Sequence, residues 1–217
     1  KGRAYRGEIT QRTWQQEYMA EFLDDAGAVF RKVRTAIDPQ LPHEGPQEGR
    51  DYFVGCDWGK YNDLTWFVVV RAPKGAEDPV AVVHVDRMVE IDYTLQRARL
   101  QALCDHWKPL AVLAESNAMG DPIIEELVRQ GLPVDPWTAS NPSNKAAAEY
   151  LALLFETERI KMPDDPMLLD QLLSYEARRL PSGLLKYAAP EGLHDDGVDA
   201  LKLAALCTQT GDLEVIS

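Results

Sequence analysis

Apolar residues recur along the chain in two rhythms, and the change between them divides it. Over residues 13–34, Trp14, Tyr18, Phe22 and Leu23 fall near a 3–4 spacing, and Thr13 with Gln16 resembles a capping box. This stretch is predicted to be helical. Asp38 to Gly49 holds three prolines and two glycines, the composition of a linker. From Tyr52 the pattern turns to strands: Tyr52–Trp58, Leu64–Arg71 and Val80–Ile91 read as an antiparallel meander, with a turn or loop beginning at Pro73-Lys74-Gly75. A helix over Thr94–Trp107 follows, then a short strand, Leu110–Glu115, a helix opened by Asp121-Pro122 and a strand, Leu132–Trp137. Two further helices are opened by Asn141-Pro142 and Asp165-Pro166. Residues 176–188 read as a hairpin around Pro181-Ser182-Gly183, and a last helix runs from Asp195 to Thr208. Three meandering strands followed by αβαβ units predict an α/β fold, a mixed five-stranded central sheet with helices on both faces. The predicted division is an N-terminal helical segment over 1–37, a linker over 38–50 and one domain over 51–217.

Composition narrows the function. The 217 residues carry 23 Lys and Arg against 35 Asp and Glu, a net charge of −12. Residues 1–36 are the exception, with 7 basic and 5 acidic side chains. This balance argues against a stand-alone non-specific DNA binder, which needs a basic footprint, but suits a site where carboxylates hold divalent cations. The longest apolar strings, Trp66–Val70 and Val80–Val83, are strand-sized and far short of a membrane span. Lys1-Gly2-Arg3 opens no secretory leader, and the chain is expected not to be secreted. Cys56, Cys104 and Cys207 lie far apart with no CxxC pair, so neither a disulfide framework nor a zinc site is expected. Neither G-x-x-x-x-G-K-[ST] nor G-x-G-x-x-G occurs, so no nucleotide-phosphate cradle is predicted.

The informative residues are acids where a buried sheet should be apolar. Asp57 ends Phe53-Val54-Gly55-Cys56-Asp57-Trp58-Gly59, a predicted central strand, where an ionised carboxylate is costly unless paired or bound to a metal. Glu115 closes Leu110–Ala114 in the same way, at the C-terminal strand end where α/β sheets place ligands. Asp195, Asp196 and Asp199 cluster at the start of the last helix, with 196 and 199 on one face. Each has an ordinary reading as well: Asp57 as a turn residue, Glu115-Ser116-Asn117 as a polar loop, Asp195 as a helix cap with acids suiting the first turn. It is the combination that points to chemistry.

That order of acids resembles the ribonuclease H-like superfamily, and more narrowly the C-terminal nuclease domain of the large terminase subunit of tailed bacteriophages. The matching segments are Val54-Gly55-Cys56-Asp57-Trp58-Gly59, Leu113-Ala114-Glu115-Ser116-Asn117 with Gly120, and His194-Asp195-Asp196-Gly197-Val198-Asp199-Ala200-Leu201. Residues 15–30 also resemble the segment leaving the terminase ATPase domain. The resemblance implies a metal-dependent endonuclease that cuts concatemeric double-stranded DNA, with two Mg²⁺ or Mn²⁺ ions about 3.5–4 Å apart. It implies Asp57 as the bridging ligand, Glu115 on one metal and Asp196 on the other, with Asp195 or Asp199 able to substitute for or assist Asp196. Asp63 is a weaker ligand candidate, and His194 would orient a carboxylate or a phosphate. Arg178, Arg179 and Lys186 flank the hairpin, and Lys60 and Lys145 fall near loop or helix starts, where they can reach phosphates. Implied partners are an ATPase motor domain upstream, a portal and a small terminase subunit, all in the host cell cytoplasm. Two alternatives remain open: a Holliday-junction-resolvase-like nuclease, and a non-catalytic ribonuclease H-like docking module.

Overall fold

The computed structural model describes residues 26–59, 64–89, 92–116 and 120–209. Nine strands are described: β1 (Ala26–Ala28), β2 (Tyr52–Asp57), β3 (Leu64–Arg71), β4 (Val80–Val89), β5 (Ala111–Ser116), β6 (Val134–Thr138), β7 (Ile160–Lys161), β8 (Glu176–Arg179) and β9 (Leu185–Ala188). The helices are α1 (Tyr93–Trp107), α2 (Gly120–Arg129), α3 (Asn141–Glu156), α4 (Pro166–Ser174) and α5 (Asp196–Leu206), with a 3₁₀ turn at Val33–Ala36.

Six strands form the central sheet in the order β6-β5-β2-β3-β4-β7. The predicted meander is there, with β2, β3 and β4 antiparallel. Strand β5 lies parallel to β2 on its other side, and β6 lies parallel to β5. The strand missing from the five-stranded expectation is β7, two residues long, which adds in parallel to β4. So short a segment carries no readable alternation.

The sheet is covered on both faces, which is why β3 reads as an unbroken apolar run rather than an alternating one. Phe67 and Val69 pack with Leu100 and Trp107 of α1 and Leu127 of α2. Trp66, Val68 and Val70 pack on the opposite face with Leu151 of α3, Leu168 of α4 and Leu201 of α5. The helix starts follow capping chemistry. Asp92 accepts from Leu95 N, and Asp165 accepts from Met167 N and Leu168 N. Helix α3 begins at the Asn of its Asn-Pro signal, behind a capping box between Ser140 and Ser143.

The predicted helix over 13–34 is corrected where it is described. Ala26–Ala28 is a strand that pairs with β8, and Val33–Ala36 is a 3₁₀ turn. Tertiary pairing overrides local spacing here, because β8 offers an edge and Val29 and Phe30 bury their side chains in the core behind it. Thr13, Trp14, Gln16, Tyr18, Phe22 and Leu23 lie outside the described residues. Residues 38–50 run against the domain: Asp38 N donates to Met162 O, His43 N donates to Val83 O, and Leu41 is buried.

Two glycines set how closely α5 approaches the sheet. A Cβ on Gly55 of β2 would lie 1.9 Å from Ala200 O and 2.4 Å from Ala204 N, both backbone atoms of α5. A Cβ on Gly197 would lie 3.0 Å from the Trp66 ring. Only hydrogen at position 55 lets helix and strand backbones touch. We therefore expect Gly55→Val to cost at least about 3 kcal/mol, a fall in Tm of roughly 6–12 °C. Gly75→Ala, where a Cβ meets nothing within 4 Å, should leave Tm nearly unchanged. Thermal denaturation by circular dichroism of both variants checks this.

Candidate metal centre

Strand register brings the first two acids together. Cys56 of β2 is the partner of Ala114 of β5, and both side chains pack on the α1 face. Because the strands are parallel and side chains alternate, the next residues, Asp57 and Glu115, sit side by side and face α5. The close contact of α5 with Gly55 then sets Asp199, one residue before Ala200, over the same sheet edge. Ligand oxygens of Asp57, Glu115 and Asp199 all lie within 4.8 Å of one another. Among the described residues this is the one group of three or more His, Cys, Asp or Glu side chains so arranged.

The other acids of the last helix stand around this trio. Asp196, placed ahead of Asp199 in the assignment from sequence, is not a member of it. Its carboxylate lies 3.7 Å from His194 Nδ1, yet it is near enough to act electrostatically on Asp57. Asp195 occupies the N-cap position but makes no capping bond, which removes its ordinary reading. Its Oδ2 accepts instead from Ala189 N at 2.9 Å, tying the start of α5 to the end of β9.

These groups perturb one another strongly. Burial pushes the Asp57 carboxyl well above the usual carboxylate range, and the charges of Asp199, Glu115, Asp196 and Asp195 add to the rise. Asp199 is pushed up to about 6, chiefly by burial, with Lys202 opposing and Asp195 and Glu115 adding. Five carboxylates gathered around one strand end form a site that attracts cations. All the donors are hard oxygens, which suits Mg²⁺ or Mn²⁺ rather than a thiolate-preferring metal.

A further residue, overlooked in the sequence, belongs to this site. Lys202 is 1% exposed and its Nζ lies 2.6 Å from Asp199 Oδ1. The same ammonium donates to Asn144 Oδ1 at 2.5 Å and to the Tyr175 hydroxyl at 2.8 Å. The available signal was a lone charge at i+3 from Asp199 within Ala200-Leu201-Lys202-Leu203-Ala204, where a solvated helix face is not possible. Gln171 of α4 also contributes, since its Oε1 accepts from Gly197 N at 2.8 Å and so holds the first turn of α5.

The expected phosphate contacts are dispersed around the site. Arg178 and Lys186 are cross-strand partners on the hairpin, and both are exposed, as is Arg179. Lys145, the fifth residue of α3, lies 3.9 Å from Glu149. His194 is exposed at the site's rim. Lys60 and Asp63 lie outside the described residues.

Comparison with known proteins places this arrangement in a lineage. A family model described as the terminase RNaseH-like domain matches residues 54–207. The large terminase subunit of Thermus virus P23-45 is 32% identical over 199 residues, covering 88% of this chain and 40% of that protein. The chain thus spans about 40% of the length of the curated relatives it matches. The large terminase nuclease from thermophilic phage G20c, solved with bound magnesium, superposes with a TM-score of 0.73 at 30% identity, covering 82% of this chain and 96% of that one. The same nuclease has been solved with bound cobalt. The Thermus phage P74-26 large terminase nuclease domain gives a TM-score of 0.72 at 29% identity, covering 86% of this chain and 98% of that one. The fold is RNase H-like, with six strands in its central sheet, and the chain belongs to the terminase RNaseH-like domain family.

Proposed function

We propose that this domain is a divalent-metal-dependent endonuclease of a DNA-packaging terminase, cutting concatemeric double-stranded DNA by phosphodiester hydrolysis. The observation that carries the reading is the meeting of Asp57, Glu115 and Asp199 within 4.8 Å, from two strand ends and one helix. The G20c relative was solved with bound magnesium and with bound cobalt, ions that accept oxygen ligands, which supports a divalent metal in this domain. A docking module has no use for such a group.

In this reading Asp57 would be the ligand shared by a pair of Mg²⁺ or Mn²⁺ ions, with Glu115 holding one, Asp199 the other and Asp196 alongside. Bound metal supplies Lewis-acid stabilisation of the phosphoryl oxygens and a nucleophilic water near neutral pH. The chain's own residues do the rest. The two strand ends fix carboxylate spacing, Gly55 fixes the height of α5 above them, and Asp195 anchors the hairpin beside the site. Arg178, Arg179 and Lys186 face outward where a duplex can reach them. At a net −12 their grip is weak, so an ATPase motor in the same polypeptide would hold the DNA. Portal and small terminase subunit are the partners proposed with it, in the host cell cytoplasm. No helix among the described residues is long and apolar enough to cross a membrane.

Plasmid nicking with Mg²⁺, Mn²⁺ or EDTA tests the proposal. Asp57→Asn should lower the rate by more than the ~100-fold that losing an outer-shell partner costs. Cutting by the variant at the wild-type rate sinks the assignment. Branched substrates cut in preference to linear duplex would favour the resolvase alternative.

The raised carboxyls predict a pH signature that needs no DNA. In EDTA the folded chain holds protons that the unfolded chain releases. The ionised acids therefore destabilise the fold above their folded values, about 6 for Asp199, and this penalty fades as pH falls toward the ordinary carboxyl range near 4. Asp57→Asn should therefore melt higher than wild type at pH 8, with the gap closing as pH falls toward the ordinary carboxyl range. Adding Mn²⁺ should reverse the order at pH 8. A second prediction concerns the hairpin: Arg178→Glu with Arg179→Glu should weaken duplex binding and flatten its salt dependence by about two charges, leaving Mn²⁺ binding unchanged.

A further inference from the structure

Lys202 occupies a position where an apolar residue would be cheaper. Its neighbours on α5, Leu201, Leu203 and Ala204, are fully buried apolar side chains, and desolvating an ammonium among them is expensive. The surroundings are arranged to receive a cation. The Tyr175 hydroxyl spends its proton on Tyr187 O at 3.1 Å, which leaves a lone pair for Lys202. Asn144 donates Nδ2 to that same carbonyl at 3.4 Å, which turns its Oδ1 to the ammonium. One backbone oxygen of β9 thus orients both neutral acceptors, while Asp199 Oδ1, 2.6 Å from Nζ, is the anionic partner of an ion pair. Two hydrogen bonds and one buried ion pair thus surround the ammonium.

We propose that Lys202 is a positioning residue and the resident counter-cation of the acidic centre. It ties down one oxygen of Asp199, leaves the other for a divalent ion, and keeps the fold intact when no metal is bound. The inference rests on the metal-centre reading above and adds that this chain carries its own partial substitute for the metal. Because the acceptors that hold Lys202 hang from Tyr187 O, the third ligand is also tied to the base of the β8–β9 hairpin.

A double-mutant cycle on the full chain, read by thermal melts in EDTA and in Mn²⁺, tests this. Lys202→Met in EDTA should lower Tm by roughly 10 °C, because Asp199 is left buried without its partner. In an Asp199→Asn background the same change should cost under ~4 °C. Mn²⁺ should raise the Tm of Lys202→Met by more than it raises wild type, since the metal is then the cation that faces Asp199. An equal cost in both backgrounds, or an equal rise with Mn²⁺, would overturn the proposal. If Lys202→Met does not fold in EDTA, recovery in Mn²⁺ or in the Asp199→Asn background supports it, and failure in both overturns it. Tyr175→Phe, which removes one acceptor, should act in the same direction with smaller size and lose its effect in Asp199→Asn. If wild type cuts no DNA while the cycle holds, the nuclease reading fails and this one stands. If Mn²⁺ does not stabilise wild type, the metal-centre reading fails, and the cycle in EDTA alone decides the role of Lys202.

Discussion

The backbone contact between α5 and Gly55 is the constraint on which the rest of the site depends. A helix packed on a sheet normally rides on side chains, several ångströms above the strand. Here Ala200 O and Ala204 N occupy the space a Cβ would fill. That closeness carries Asp199 down to the level of Asp57 and Glu115, whose own spacing comes from the hydrogen-bonded register of β2 and β5. Small residues along the contact, Gly197, Ala200 and Ala204, leave the helix little freedom to rotate or lift. The geometry of the acids is therefore a property of buried packing rather than of loops.

Such an arrangement concentrates negative charge where water is scarce. Burial, and after it the charges of four other carboxylates, raise the proton affinity of Asp57. A fold in that state is strained electrostatically until a cation arrives, and the chain meets part of the strain internally. Lys202 reaches Asp199 from behind, supported by Tyr175 and Asn144, while Gln171 fastens the first turn of the helix through Gly197 N. Asp195 gives up the usual capping role and accepts from Ala189 N instead, which ties the start of α5 to the hairpin. Structural stability and the capacity to bind metal are in this way opposed at the same residues.

Much of the domain was legible in the sequence because its strands are buried on both faces and its helices are capped by short polar residues. Leu64–Arg71 matches its apolar run to the residue, and the acids near the C-terminal ends of β2 and β5 stood out because an ionised carboxylate on a central strand is costly unless paired or bound to a metal. Strands β1 and β7 were not legible. Ala-Gly-Ala has no strand propensity of its own, and Ile160–Lys161 is too short for any period, so each exists because a neighbouring edge is available. Which of Asp195, Asp196 and Asp199 approaches Asp57 and Glu115 was equally hidden, since it depends on the rotation of α5, which Gly55 sets from outside the motif. The Lys202 network joins α3, the C-terminal end of α4, β9 and α5 across 27 and 58 residues of chain, a separation no local pattern reports.

The most direct test of the account is a crystal of this chain soaked in Mn²⁺ and measured at the manganese absorption edge. Anomalous peaks should fall between Asp57, Glu115 and Asp199, with Asp57 oxygens on both ions and Lys202 still on Asp199. Manganese bound elsewhere, with those three carboxylates free of metal, would contradict it.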